Sequence, residues 1–242
     1  MIIESLVENL EFGVIGYNGN FEHLIKCNSV LGKNLTYWDG LANNYLAEVY
    51  WKLDGCAFDN QPAPKFMKLD TLILGGCPIC IFLPKGEVDK GLVKKLGAEN
   101  LDIVPIGFMD MHKIGEGKYV CSGLGIAKEY QGNGLSKYLI HAGLKITGVK
   151  ELIIPTQLSN ASAHYAWLHL GQLKILKIKP CHNEEDTIVY QTNIENPEQP
   201  VNRAIKDISG ALKVSFQELL SHPELYEGKF VVGYFEDSLL VK

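Results

Sequence analysis

The sequence predicts an α/β fold, and three observations carry that prediction. Short stretches of apolar residues, continuous or alternating, recur along the chain and read as strands; residues 101–111, 118–127 and 151–158 are the clearest. Between such stretches, apolar residues fall at helical spacing, as in Leu41, Tyr45, Leu46, Val49, Tyr50 and Leu53. One junction joins the two patterns directly. Residues 120–126 are apolar and glycine-rich like a buried strand, Leu135, Tyr138, Leu139, Ala142 and Ile146 share a helical face, and strand turns into helix at Gln131 to Gly134.

Taken in order, residues 10–17 predict a first strand closed by Asn18-Gly19-Asn20. A helix is predicted over 21–31, capped by Asn20 and ended by Gly32, and a second over 41–53, ending at Gly55. A polar, proline-containing loop over 59–64 leads into an apolar β-like stretch over 69–83. Val88, Leu92, Val93 and Leu96 predict a short helix stopped by Gly97, and Gly115-Glu116-Gly117 the hairpin turn between the strands on either side of it. After the strand over 151–158, Asn160 opens a short helix whose Ala163, Ala166, Trp167 and Leu170 share a face before Gly171. Residues 173–179 and 187–193 alternate, as strands of a sheet with one wet face do.

Beyond Asn193 the composition changes to a linker, Glu195-Asn196-Pro197-Glu198-Gln199-Pro200, followed by a predicted helix over 201–220 and a strand over 229–235. The expected organisation is therefore a main domain over 1–193, most clearly marked over 101–193, and an extension over 194–242. That extension is too short to bury a core of its own and should pack on the main domain or on a second copy of the chain, as a homodimer.

Composition narrows the function classes. With 46% hydrophobic and 21% charged residues the 242-residue chain is an ordinary globular sequence. A net charge of −5, and Arg203 as the single arginine, argue against a nucleic-acid partner. The apolar stretch over 71–84 is broken by Gly75, Gly76 and Pro78 and is too short to span a bilayer, so no membrane partner is expected. The first residues lack the basic flank and cleavage site of a leader, which makes a cytoplasmic location the expectation, with the six cysteines reduced.

The junction at 131–136 is a ready anion cradle, because a helix's first turn offers free backbone N–H groups backed by the positive end of its dipole. It matches neither the Walker pattern, since Leu135 and Ser136 follow Gly134, nor the dinucleotide fingerprint, which needs a third glycine. Gln131-Gly132-Asn133-Gly134-Leu135-Ser136 instead resembles the Gln/Arg-x-x-Gly-x-Gly/Ala signature of the GNAT superfamily of N-acetyltransferases, with Ser136 where the family has Gly or Ala. Downstream, Asn160, Ala163, Leu170 and Gly171 resemble the family's second element, with Trp167 in place of its usual tyrosine and Gln172 in place of phenylalanine. The resemblance covers roughly residues 103–193.

It implies an acetyltransferase fold, a mixed central sheet flanked by helices, here with a C-terminal helix–strand extension. It also implies acetyl-CoA as cosubstrate, with no metal. Its pantetheine arm would lie along Leu124, Gly125 and Ile126, and its pyrophosphate on the amides of Gly132 to Ser136. Gln131, Asn160 and Trp167 complete the expected cofactor contacts. A small-molecule or peptide amine would attack the thioester directly, in a ternary complex. Asp110 and His112, at the end of the neighbouring strand, are the candidate bases, and Tyr165 a candidate acid in place of the missing phenol; His164 is a further candidate, although a histidine on a short helix is more often a surface residue. Gly123 and Gly125 are read as positions of close ligand approach rather than of tight packing.

Two rivals stand beside this reading. A chain that binds CoA without catalysis fits the departures at Ser136 and Trp167. Thiol redox chemistry at Cys77-Pro78-Ile79-Cys80 would need a helix N-terminus at Cys77, where the sequence continues as a strand. No further ligands at zinc spacing accompany those cysteines, so buried strand thiols are expected there.

Overall fold

The computed structural model describes residues 7–16, 29–39, 44–58, 76–179, 186–197 and 208–242. The chain divides into two units, one of residues 1–113 and 122–148, the other of residues 114–121 and 149–242. Both are mixed α/β.

In the first unit β1 (Glu11–Gly16) pairs in parallel with β3 (Lys33–Asp39) and antiparallel with β4 (Gly76–Pro84), and β2 (Ser29–Val30) closes a hairpin with β3. β4 in turn pairs antiparallel with β5 (Ile103–Gly115), whose other neighbour is β6 (Lys118–Ile126). β4 is buried along nearly its whole length, and for that reason its sequence is continuously apolar instead of alternating. Helices cover both faces. Neighbouring residues of a strand point to opposite sides, so Phe108 and Met109 report on different faces of β5. The Phe108 ring meets Tyr50 of α1 (Asn44–Ala57) edge-on at 5.7 Å between centroids. On the other side a Cβ at Gly143 of α3 (Leu135–Thr147) would stand 2.6 Å from the Met109 sulfur, so glycine is what lets that helix lie so close. The short α2 (Lys90–Leu96) is capped by the Asp89 carboxylate, which accepts from the Leu92 amide, and ends at Gly97 in the left-handed conformation.

In the second unit the strand order is β10–β12–β11–β8–β9–β7, ending on the start of β6. β7 (Glu151–Gln157) pairs in parallel with β6 from Lys118 to Val120 and antiparallel with β9 (Thr187–Asn193), which also pairs with β8 (Leu173–Lys179). Leu152, Ile154, Leu173, Ile175, Ile188 and Tyr190 are buried on one face, while Lys174, Gln157 and Asn193 lie exposed on the alternate positions. β11 (Phe230–Phe235) adds to β8 through Phe230↔Lys174 and Val231↔Leu173, and β12 (Ser238–Val241) and β10 (Leu212–Ser215) follow it. The tail thus completes the sheet of its own chain. α4 (Ala161–Leu168) packs against β11.

The structure corrects several sequence expectations. Residues 21–28 of the first expected helix lie outside the described residues, but its end does not: Ser29 and Val30 are a strand, and Leu31 and Gly32, at φ 52° and 75°, form the tight turn into β3. Two successive positive φ values fit the turn type that matches the twist of a two-residue hairpin. α1 runs through Gly55 to Ala57 instead of stopping there, with Gly55 buried. In the tail, Leu212 to Ser215 is a strand where a helix was expected, and among the described residues of that expected helix Phe216–Ser221, here α5, is helical, with the Ser215 hydroxyl accepting from the Glu218 amide. Residues 59–75 and 198–207, which carry an expected loop and the start of the two adjoining expectations, lie outside the described residues.

Candidate active site

β6 enters the cradle through a short 3-10 turn, Lys128–Tyr130, after the Ala127 amide has bonded to the Ile106 carbonyl. The chain then reverses through two glycines of positive φ, Gly132 at 77° and Gly134 at 69°, a region that L side chains enter at a cost. Gly134 occupies the N-cap position of α3, and no side chain caps that helix. The Lys137 amide turns back onto the Gly134 carbonyl at 3.3 Å, while no side-chain oxygen caps the amides of Leu135 and Ser136 ahead of it. Among the described residues nothing lies within 4 Å of the Cβ position at Gly132, and only the Lys137 side chain, at 3.8 Å, near that of Gly134. The turn is open on the side where these side chains would stand.

Its shape is held by its own polar residues. The Gln131 side-chain amide donates to the Ile126 carbonyl at 2.9 Å and to the Ala57 carbonyl at 3.1 Å, tying the end of β6 to the end of α1. Asn133 donates to the carbonyls of Tyr130 and Gln131. These two residues, expected as cofactor contacts, carry the loop's internal bonds. Leu135 is buried as the first core residue of α3, whereas Ser136 stays half-buried. Lys95 and Glu129 form an ion pair at 3.0 Å beside the loop, and the Tyr130 hydroxyl accepts from the Asp89 amide.

Along β6 the glycines have a different cause from the one expected. A Cβ at Gly123 would stand 2.9 Å from an Asp110 carboxylate oxygen, and one at Gly125 would stand 2.6 Å from the Phe108 ring and 2.9 Å from Ala57. On that face the glycines make room for protein atoms, which corrects the reading that they make room for a ligand. Leu124 and Ile126 are half-buried.

The candidate bases differ in access. Asp110 is 2% exposed and accepts a hydrogen bond from the buried Tyr50 hydroxyl. Burial, and then the adjacent Asp110 carboxylate, hold the Tyr50 phenol well above its ordinary range, so it stays the donor of that bond. His112 is half-buried, and its Nε2 lies 2.8 Å from the hydroxyl oxygen of the exposed Ser122 on β6. Ser122 carried no signal in the sequence, since a serine in a strand reads only as polar. Cys77 and Cys80 are buried thiols on β4, three apart and hence on opposite faces of the strand. Burial, with Asp110 nearby, pushes the Cys77 thiol up, the reverse of what thiolate chemistry requires.

The remaining candidates belong to the second unit. Asn160 caps α4, its side-chain oxygen accepting from the Ala163 amide at 3.0 Å. Trp167 is buried at 3% exposure on the apolar face of that helix, and Tyr165 is 55% exposed with its hydroxyl donating to the Tyr234 carbonyl. His164, expected at the surface, is 1% exposed. Its Nδ1 bonds to the Tyr190 hydroxyl at 2.9 Å, its Nε2 to the Leu158 carbonyl at 3.2 Å, and its ring stacks on Tyr234 at 5.0 Å. Burial lowers its pKa to about 4. Among the described residues no group of three His, Cys, Asp or Glu side chains could hold a metal ion, and no helix is long and apolar enough to cross a membrane.

No family model and no curated protein matches the sequence. Solved structures similar to the chain include acetyltransferases. The ribosomal-protein-S18-alanine N-acetyltransferase from Escherichia coli is 15% identical, with 62% of this chain and 88% of that one covered and a TM-score of 0.43. The NatC complex bound to Gag peptide and CoA gives 16%, 64%, 94% and 0.47. Arabidopsis thaliana NAA60 in complex with a bisubstrate analogue gives 13%, 62%, 92% and 0.45.

Proposed function

We propose that the protein is an N-acetyltransferase that moves the acetyl group of acetyl-CoA to a primary amine. The observation that carries this reading is the turn at 131–136. The residues that match the acetyl-CoA signature in sequence stand at the start of a 13-residue helix that no side chain caps, on two glycines of positive φ with open space beside them. A pyrophosphate is the kind of anion such a terminus accepts, through backbone N–H groups and the helix dipole. The pantetheine arm would follow the backbone of Leu124 to Ile126.

Once bound, acetyl-CoA supplies an activated acyl group; the chain's part is to hold it and to bring a neutral amine to it. Alignment of amine and thioester can be worth roughly 7 to 11 kcal/mol of the barrier, so a site with modest acid–base equipment remains effective. His112 is the accessible candidate base, and Asp110, closed in by Tyr50 and β6, is assigned to holding that face together. The test is release of free CoA thiol from acetyl-CoA in the presence of polyamines, aminoglycosides and peptides with free amino groups. Amine-dependent release supports the reading, and no release with any of these amines contradicts it. A second reading, CoA binding without transfer, is favoured by Trp167 standing buried where the resemblance expects a phenol; it predicts binding of CoA in calorimetry with no turnover in that same panel.

A further inference from the structure

We infer that Ser122 and His112 form a two-residue proton relay: the Ser122 hydroxyl meets the acceptor amine, and His112 takes the proton. The inference rests on the acetyl-transfer reading and names the chemistry within it. Ser122 is an exposed hydroxyl on β6, two residues before Leu124, and its oxygen lies 2.8 Å from His112 Nε2. That is the separation at which a base and the group it deprotonates share a proton. In the His112 tautomer with its proton on Nδ1, Ser122 donates to Nε2 and keeps oxygen lone pairs directed at an incoming N–H.

The neighbouring groups that could serve instead are closed in. One Asp110 oxygen is taken by Tyr50, the other faces the backbone of Gly123, and the residue is 2% exposed. Cys77, Cys80 and Cys121 are buried. The Ser122–His112 pair couples an exposed hydroxyl to an imidazole nitrogen behind it.

The acceptor arrives as an ammonium; an N–H bond breaks and an O–H bond forms at Ser122 while the serine's own proton passes to His112 Nε2. The neutral amine's lone pair then forms the N–C bond to the thioester carbon, and the C–S bond breaks with its electron pair leaving on sulfur. The second proton shed by nitrogen goes to the thiolate, and the imidazolium returns its proton to solvent.

The experiment uses the full chain, acetyl-CoA and an amine that turns over in the panel, with Ser122→Ala, Ser122→Thr, His112→Gln and the double variant Ser122→Ala/His112→Gln. Loss of a general-base path typically costs about 10²- to 10⁴-fold, so Ser122→Ala and His112→Gln should each lower kcat by at least about 10²-fold. KM for acetyl-CoA and its calorimetric affinity should stay at the parent values. Ser122→Thr, which keeps the hydroxyl, should recover most of the rate, and the double variant should be no worse than either single one, because the two residues act as a unit. Retention of kcat in Ser122→Ala, multiplying losses in the double variant, or failure of Ser122→Thr to recover the rate while its thermal melt and CoA affinity are normal would each overturn the relay and leave acetyl transfer standing. Intact CoA binding with no turnover of any amine would overturn both.

Discussion

Two strand-to-helix junctions in this chain look alike in sequence and differ in how they treat their helix N-termini. At β7 to α4, Asn160 turns its side chain onto the Ala163 amide, and the helix behind it buries Trp167 and His164. At β6 to α3 the polar side chains of Gln131 and Asn133 bond to carbonyls instead, and Gly134 leaves the first helical amides uncapped. A capped terminus gains its stability from within, about 1 kcal/mol for the cap itself. An uncapped one on positive-φ glycines forgoes that contribution and keeps its donors for something else. Substitutions at the first junction should therefore read out in stability, and substitutions at the second in binding.

The largest stability effect is expected at Trp167. Trp167→Ala should destabilise the protein by about 3 to 5 kcal/mol in chemical denaturation, since a fully buried indole leaves a cavity that its neighbours fill only in part. A loss below about 1 kcal/mol would show that the ring is not part of the core. Trp167→Tyr should lose much less.

Next in size is a pH effect from the same helix. The folded pKa of His164, about 4, lies below the ordinary 6.5, so between these values the unfolded chain binds the extra proton. The stability involved is present above pH 6.5 and is lost as pH falls toward 4, by about 3 kcal/mol at most from a shift of this size. Urea midpoints for the parent and His164→Gln should converge as pH is lowered from 7 to 4.5. A constant gap between them would contradict the buried neutral imidazole.

Gly125→Ala tests the face of β6. Its methyl group would meet Phe108 at 2.6 Å and Ala57 at 2.9 Å, and overpacking of this kind costs about 1 to 3 kcal/mol. A neutral result by thermal melting would mean that this face yields easily, and would restore ligand approach as the reason for the glycine. Asn160→Ala is the smallest, a loss of about 0.5 to 2 kcal/mol on removing a cap.

The same contrast explains what could be read from the sequence. β6, β7, β8, β9 and the helices after Gln131 and Asn160 were legible because each buries one face and repeats its period over enough residues to show it. The β2–β3 hairpin was hidden because β2 is two residues long, too short to show any period. β10 was hidden because Leu212 and Val214 alternate over only four residues beside a helical run. In the site, the Gln131 to Ser136 turn announced itself through local glycine chemistry. The burial of His164 did not, because it is made by Tyr190 and Tyr234, far along the chain, and the packing role of Gly123 and Gly125 depends on Phe108, Asp110 and Ala57 from two other elements.

The most direct test of the central claim is calorimetric titration of acetyl-CoA into the parent protein and Gly134→Asp. Among the described residues the substitution has room, with only the Lys137 side chain near, and the left-handed backbone costs a non-glycine residue about 1 to 2 kcal/mol, which a folded domain can absorb. It places a carboxylate where the pyrophosphate is expected, so the parent should bind and the folded variant should lose most of its affinity. Equal affinity in both proteins, or no binding in the parent, would contradict a cofactor site at the start of α3.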